Sequence, residues 1–224
     1  AEKYFDIKLI DHFFVPNKAY KFQVETLNLL NINHKSISSK IHKHIYSDYV
    51  IATTHPWQHS NSAHKDISQV PKWISLWLRK RFLKFKSKKK FFSKIYIDRS
   101  DSKFYKNKQR IIINEAALRE FLIKKKFKIV RLSDFSFKDQ IAIFNSAKII
   151  IGNHGAGFAN LIFCKKNTKI VEFIDKNTAK IFKKTSKDLN LKYFSITGKR
   201  MNADKGNQNN NISISIKNLA KVIN

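Results

Sequence analysis

Gly152, Gly155 and Gly157 fall within six residues of one another, in a chain of 224 residues that has only five glycines. They sit in the run Ile149-Ile150-Ile151-Gly152-Asn153-His154-Gly155-Ala156-Gly157-Phe158. An apolar run that enters a His/Gly turn and then opens an amphipathic segment reads as strand, turn and helix. At such a junction the helix-start N–H groups point outward and glycines let a ligand approach the main chain, which is the chemistry of anion binding. Arg99 and Arg110 lie upstream and can each grip phosphate oxygens through a forked guanidinium. Glu172 lies downstream, inside an otherwise apolar run. A buried acid there is costly unless a ligand or a basic group answers it. Two arginines, a His/Gly turn and one acid would together suit a nucleoside diphosphate, with the acid on ribose hydroxyls.

Each residue has a plainer reading. Arg99 and Arg110 can be surface charges in a Lys/Arg-rich chain. Asn114-Glu115 can be only a helix start, and His154 only a turn residue bonded to backbone.

The elements that must position these residues follow from periodicity. Strands are expected at 94–97, 128–132, 148–151, 169–173 and 192–196. Helices are expected at 115–126 with Asn114 as N-cap, at 137–147 with Ser136 as N-cap, at 156–163 and at 179–189. This alternation predicts an α/β fold, a parallel sheet with helices on both faces. Arg99, His154 and Glu172 then fall at or near the C-terminal strand ends, the edge where open α/β sheets bind ligands. Residues 201–211 read as a polar, Asn-rich loop. Ile212, Ile214 and Ile216 alternate as a short strand, and 217–223 reads as a closing helix. Earlier in the chain, 6–10 and 49–53 resemble strands, 21–30 a helix, and 71–85 a helix with Ile74, Trp77, Leu78 and Phe82 on one stripe.

Composition narrows the class. Hydrophobic residues make up 42% and aromatics 13%, enough for a packed core, and no apolar run approaches the length of a membrane span. Cys164 is the one cysteine, so no intrachain disulfide can form; it reads as a small apolar filler. The net charge of +29 favours polyanionic partners. Much of that excess is Lys, accompanied by Ile, Asn and Phe, as AT-rich codons alone would produce. The segment 79–94 stands out, with nine Lys/Arg, no acid and interleaved aromatics. It fits either a surface-seeking stretch on anionic lipid or a solvated linker. Metal chemistry has little support: His42 and His44, and His55, His59 and His64, lack acids or Cys at ligand spacing. There is no Gly-Lys-Ser/Thr phosphate loop and no serine nucleophile elbow.

Five motifs in order make a more specific pattern: Ile95-Tyr96-Ile97-Asp98-Arg99, Arg110-Ile111-Ile112-Ile113-Asn114-Glu115, Phe135-Ser136-Phe137-Lys138-Asp139-Gln140-Ile141, residues 154–163, and Val171-Glu172-Phe173. Their order and spacing resemble glycosyltransferase family 61, closely over 94–198 and loosely before. The resemblance implies a GT-B architecture of two Rossmann-like domains. Residues 89–224 would form the nucleotide-sugar-binding domain. Residues 1–88 would be a partial acceptor-side α/β segment, the tail of a second domain, ending in a basic linker. It implies an inverting, metal-independent hexosyl- or pentosyltransferase with no cofactor beyond its donor, usually a UDP-sugar. A glycan or lipid-linked acceptor in bacterial surface (capsular) polysaccharide synthesis would be its partner.

Carried onto matching positions, Arg99 and Arg110 would neutralise the diphosphate. His154, Gly155 and Ala156 would contact the donor, Asn114 would line the substrate site, Asn160 would support the turn, and Glu172 would bind ribose. His154 is the one base candidate. The resemblance further implies a cytoplasmic location, peripheral at the inner membrane through 79–94, with no specific nucleic acid bound. Three departures stand out. Asp98 replaces a frequent Ser, Phe158-Ala159 replaces Leu-Thr, and no N-terminal His motif is visible, as if the chain were a piece of a longer enzyme. A basic nucleic-acid-binding protein and a non-catalytic interaction domain are the competing classes.

Overall fold

The computed structural model describes residues 6–15, 18, 20–52, 60, 66, 68–102, 107, 110–200 and 210–224. The chain divides into two compact units, Ala1–Pro56 and Trp57–Asn224.

The first unit is built on one β-α-β crossover. Strand β1 (Phe13–Val15) pairs in parallel with β2 (Ser36–Ser38), and helix α1 (Lys21–Leu29) connects them. The strand expected at 6–10 is instead a short 3-10 helix, Ile7–Leu9, because the Asp6 side chain accepts from the Lys8 N–H and caps a turn. No strand forms over 49–52, where Tyr49 and Val50 are 91% and 82% exposed and so bury little apolar surface.

Helix α2 (Lys72–Phe82) belongs to the second unit. Arg79 ties it there: its Nη1 donates to the carbonyls of Ile162 and Cys164, both at 2.7 Å. Phe82 adds an edge-on contact with Phe137 at 5.4 Å.

Five parallel strands follow: β3 (Lys94–Asp98), β4 (Lys128–Arg131), β5 (Ile149–Asn153), β6 (Lys169–Ile174) and β7 (Lys192–Thr197). Their spatial order is β4-β3-β5-β6-β7. The central strands are buried on both faces, which explains their near-continuous Ile/Val runs. On one face Tyr96, Ile151, Val171, Phe173 and Ile196 pack with Leu118 and Leu122 of α3 (Glu115–Lys124). Leu219 joins the same cluster; it lies on the closing helix (Ile216–Ile223), whose start Ser215 caps by accepting from Asn218 N. On the other face lie α4 (Phe137–Ser146), a 3-10 helix over Ala156–Phe163, and α5 (Ile181–Asp188). Aromatic edges knit that layer: Phe137 meets Phe163 at 5.9 Å and Phe158 meets Phe182 at 5.4 Å. Ser136 caps α4 by accepting from Asp139 N. The closing helix is α6 in chain order.

Two short strands complete the unit. β8 (Lys199–Arg200) pairs antiparallel with β9 (Ile212–Ser213), and Ile112 bridges Ile212 in parallel. The expected loop at 201–211 falls largely outside the described residues. Among the described residues no helix is long and apolar enough to cross a membrane.

Candidate functional site

β3 pairs with β4 on one side and β5 on the other. The chain steps from β3 to β4 on one side and then crosses to β5 on the other, so the strand order reverses at the C-terminal ends of β3 and β5. This is the topological switch point, where open α/β sheets bind ligands. Arg99 is the first residue after β3, and His154 the first after β5.

The two arms meet there. Arg99 Nη1 donates to the carbonyl of His154. Its guanidinium lies so close over Gly155 that a Cβ at that position would stand 2.5 Å from Arg99 Cζ. Glycine at 155 is thus the space that Arg99 occupies. Gly152 does the same job one strand position deeper. A Cβ there would meet the Phe158 ring at 3.1 Å and Ile97 at 3.2 Å, so the missing side chain lets Phe158 lie on the strand.

Arg110 is brought alongside by main-chain geometry. It adopts a left-handed φ of 55°, and its carbonyl accepts from Asn153 Nδ2 at 2.8 Å. Burial first, then the nearby positive charge of Arg110, lowers the Arg99 pKa to about 10. Burial also lowers that of Arg110. Both guanidinium groups are partly desolvated, and Arg110 is close enough for its charge to act on Arg99.

The residues after Arg110 are zipped to the C-terminal segment. Ile113 N donates to Ile212 O at 2.9 Å, Ile212 N to Ile111 O at 3.0 Å, and Ile111 N to Asn211 Oδ1 at 3.0 Å. Asn114 occupies the N-cap position of α3, but its side chain makes no capping bond. Its amide instead donates to Ile214 O at 2.8 Å and accepts from Ile214 N at 2.9 Å. The expected capping role is therefore replaced by a clamp across the chain.

Glu172 lies beneath His154. Gly152 and Glu172 are register partners on β5 and β6, and Glu172 is only 1% exposed. Its Oε1 is 2.5 Å from His154 Nδ1, and its Oε2 accepts from Tyr193 OH at 2.6 Å. The basic partner that burial demands is thus His154. Tyr193, on β7, was not legible as a site residue; burial and then the Glu172 charge push its phenol pKa up. With Nδ1 engaged, Nε2 is the ring nitrogen of His154 left for other chemistry. The His154 ring also packs 5.2 Å from the Phe182 ring.

Gly155 is the N-cap of the 3-10 helix and Ala156 its first residue, and Ala156 is exposed. Asn160 lies further along it. Its Nδ2 donates to Gln140 Oε1 at 3.0 Å, and Gln140 Nε2 donates to the carbonyls of Leu132 and Phe135. Asn160 therefore braces the turn against α4. Asp98, although adjacent to Arg99 in sequence, turns to Ser100 N at 2.8 Å and to Arg119 Nη1 at 3.3 Å. His42 and His44 are exposed, and His55, His59 and His64 lie outside the described residues. Among the described residues no three His, Cys, Asp or Glu side chains gather as a metal site.

The fold is that of an α/β protein with a five-stranded parallel sheet, with Arg99 and His154 at its switch point. Over residues 9–171 the chain matches the model of the family Glycosyltransferase 61. The chain belongs to glycosyltransferase family 61. No curated protein matches it significantly.

Proposed function

We propose that the chain is the donor-binding part of an inverting, GT-B-type glycosyltransferase that uses a nucleotide-sugar, with a UDP-sugar as the expected donor. The acceptor would be a glycan or lipid-linked glycan in bacterial surface polysaccharide assembly. The observation that supports this reading is the contact of the Arg99 guanidinium with the His154 carbonyl at the switch point, beside the Glu172-bonded imidazole and the main chain of Arg110.

In the proposed reaction an acceptor hydroxyl oxygen attacks the anomeric carbon from the face opposite the nucleotide. The bond from that carbon to the phosphate oxygen breaks, and its electron pair leaves with the nucleoside diphosphate. Arg99, Arg110 and the N–H groups at Gly155 and Ala156 offset the charge that develops there. Fixed guanidinium groups supply the counter-charge, so no metal is required of the site. The hydroxyl proton passes to Nε2 of His154. Glu172 keeps Nδ1 engaged and the imidazole oriented, as the third member of a base-orienting set does. Glu172 is a positioning residue in this scheme, because both its oxygens are committed within the protein.

Calorimetric titration of the protein with UDP, GDP and CDP tests the reading. One of them is expected to bind, and Arg99→Ala or Arg110→Ala should weaken that binding by about tenfold to a hundredfold. Binding of none, or binding indifferent to both substitutions, overturns it.

A further inference from the structure

We propose that the outward face of α2 is a docking surface for an anionic lipid bilayer. Three observations build it. First, the rotation of α2 about its axis is fixed. Ser75 and Phe82 are buried, and Arg79 holds the Ile162 and Cys164 carbonyls. Second, that rotation turns Trp73, Leu76 and Trp77 outward, with 58%, 45% and 37% of their surfaces exposed. Third, Lys72, Lys80 and Lys84 are exposed on the same flank. Leu76, Lys80, Leu83 and Lys84 line an open hollow of about 500 Å³ beside Arg79.

The composition of this face selects the occupant. Tryptophan favours the bilayer interface, where its ring meets hydrocarbon and its N–H meets water. Lysines beside it reach anionic headgroups while their stems lie along the apolar surface. Residues 72–94 contain no acid, so nothing in that stretch repels such headgroups. At eleven residues α2 is far too short to cross a bilayer, and it would lie in the interface plane.

The structure also moves the surface-active element. The sequence places it at 79–94, but there Phe82 packs on Phe137 and Phe91 on Phe135. Phe82 and Phe91 of the basic run hold the fold, whereas Trp73 and Trp77 are turned outward on α2, the latter with Arg81 over its ring at 5.7 Å. Arg79 links α2 to the 3-10 helix that starts at the His154–Gly155 turn. A bilayer under α2 would therefore hold the switch point at a fixed height, suiting a lipid-linked acceptor. The surface itself stands without the donor-site reading.

The test is co-sedimentation of the full chain with vesicles of phosphatidylcholine alone or mixed with phosphatidylglycerol, beside the double variant Trp73→Ser/Trp77→Ser and Lys80→Gln/Lys84→Gln. Binding to the mixed vesicles is expected, weakened at least about tenfold by the tryptophan variant. It should fall with added salt and with the lysine variant. Brominated lipid should quench tryptophan fluorescence in the parent more than in the double variant. Equal binding by parent and tryptophan variant overturns the proposal, as does binding to single-stranded RNA but not to vesicles. Circular dichroism confirms that the variants fold. Nucleotide titration of the same samples reports separately on the donor site.

Discussion

Glu172 Oε1 lies 2.5 Å from His154 Nδ1, joining the middle of β6 to the first residue beyond β5. The carboxylate is 1% exposed and also accepts from Tyr193. A buried carboxylate that spends one oxygen on an imidazole and the other on a phenol fixes the ring's orientation. It also leaves the opposite ring nitrogen directed by that choice. The acid comes from the middle of β6, the base from just past the end of β5 and the phenol from the start of β7.

Replacing Glu172 by Gln should keep the shape while offering His154 Nδ1 an amide in place of a carboxylate. Transferase turnover is then expected to fall by about a hundredfold or more, with nucleotide affinity nearly unchanged. Tyr193→Phe should cost less, about tenfold, because Glu172 still holds His154. A fall in nucleotide affinity with turnover preserved would assign the pair to donor binding instead. Steady-state kinetics beside calorimetry separates the two.

Arg99 carries a desolvation cost in the fold. Its pKa is lowered to about 10 by burial and by Arg110, so the folded state holds the charged form less well than the unfolded chain does. A group with a depressed basic pKa withholds stability at every pH below that value, here including neutrality, on the order of a few kcal/mol. Arg99→Gln should therefore leave the thermal midpoint of the ligand-free protein unchanged or raise it. The same variant should lose the midpoint increase that nucleotide gives the parent. A clear drop in the midpoint of the ligand-free variant would show that Arg99 serves the fold.

Gly155→Ala tests the same contact from the other side. The new methyl would stand 2.5 Å from the Arg99 guanidinium carbon, so Arg99 must move. Nucleotide binding is expected to weaken about tenfold or more, and the C-terminal end of β3 should rearrange. Gly155→Ala combined with Arg99→Ala removes the side chain that the methyl meets, so loss of binding beyond that of Arg99→Ala alone reads the cost of alanine at a φ of 159°. Calorimetry on the two single variants and the pair measures that coupling.

The sheet and its helices were legible because their residues follow short periods. Ile95 to Ile97, Ile149 to Ile151 and Ile170 to Phe173 are apolar runs of strand length, and Ser136 announces α4. What was hidden depends on contacts distant in sequence. The Asn114 amide looked like a cap, yet its partners are the backbone of Ile214, a hundred positions on. Tyr193 reads as an ordinary strand tyrosine until the β6–β7 register sets its hydroxyl on Glu172. The place of α2 was hidden in the same way: its tie to the sheet unit runs through Arg79's bonds to Ile162 and Cys164, more than eighty positions on. Arg99, His154 and Glu172 could be named from their place at strand ends, because the switch-point rule needs only strand order. Which of them faces substrate and which faces another side chain required coordinates.

Asp175 gives a prediction in pH. It follows β6 and accepts from Arg200 Nε at 2.6 Å and Nη2 at 2.9 Å, and from Asn210 Nδ2 at 2.7 Å. Burial alone would raise its pKa, but these bonds outweigh burial and hold it below the ordinary carboxylate value. An acid whose folded pKa is depressed contributes stability that is complete above its unfolded pKa, near 4. That stability is lost as pH falls through the lower, folded value. Asp175→Asn should therefore destabilise the protein by about 2–3 kcal/mol at neutral pH, since it leaves the largely buried Arg200 without its carboxylate. The gap between parent and variant should hold down to about pH 4 and close below it. Urea titrations across that range measure the gap directly. A gap that stays constant into strong acid would mean that Asp175 acts through shape alone and that its charge adds nothing to the clamp on Arg200 and Asn210.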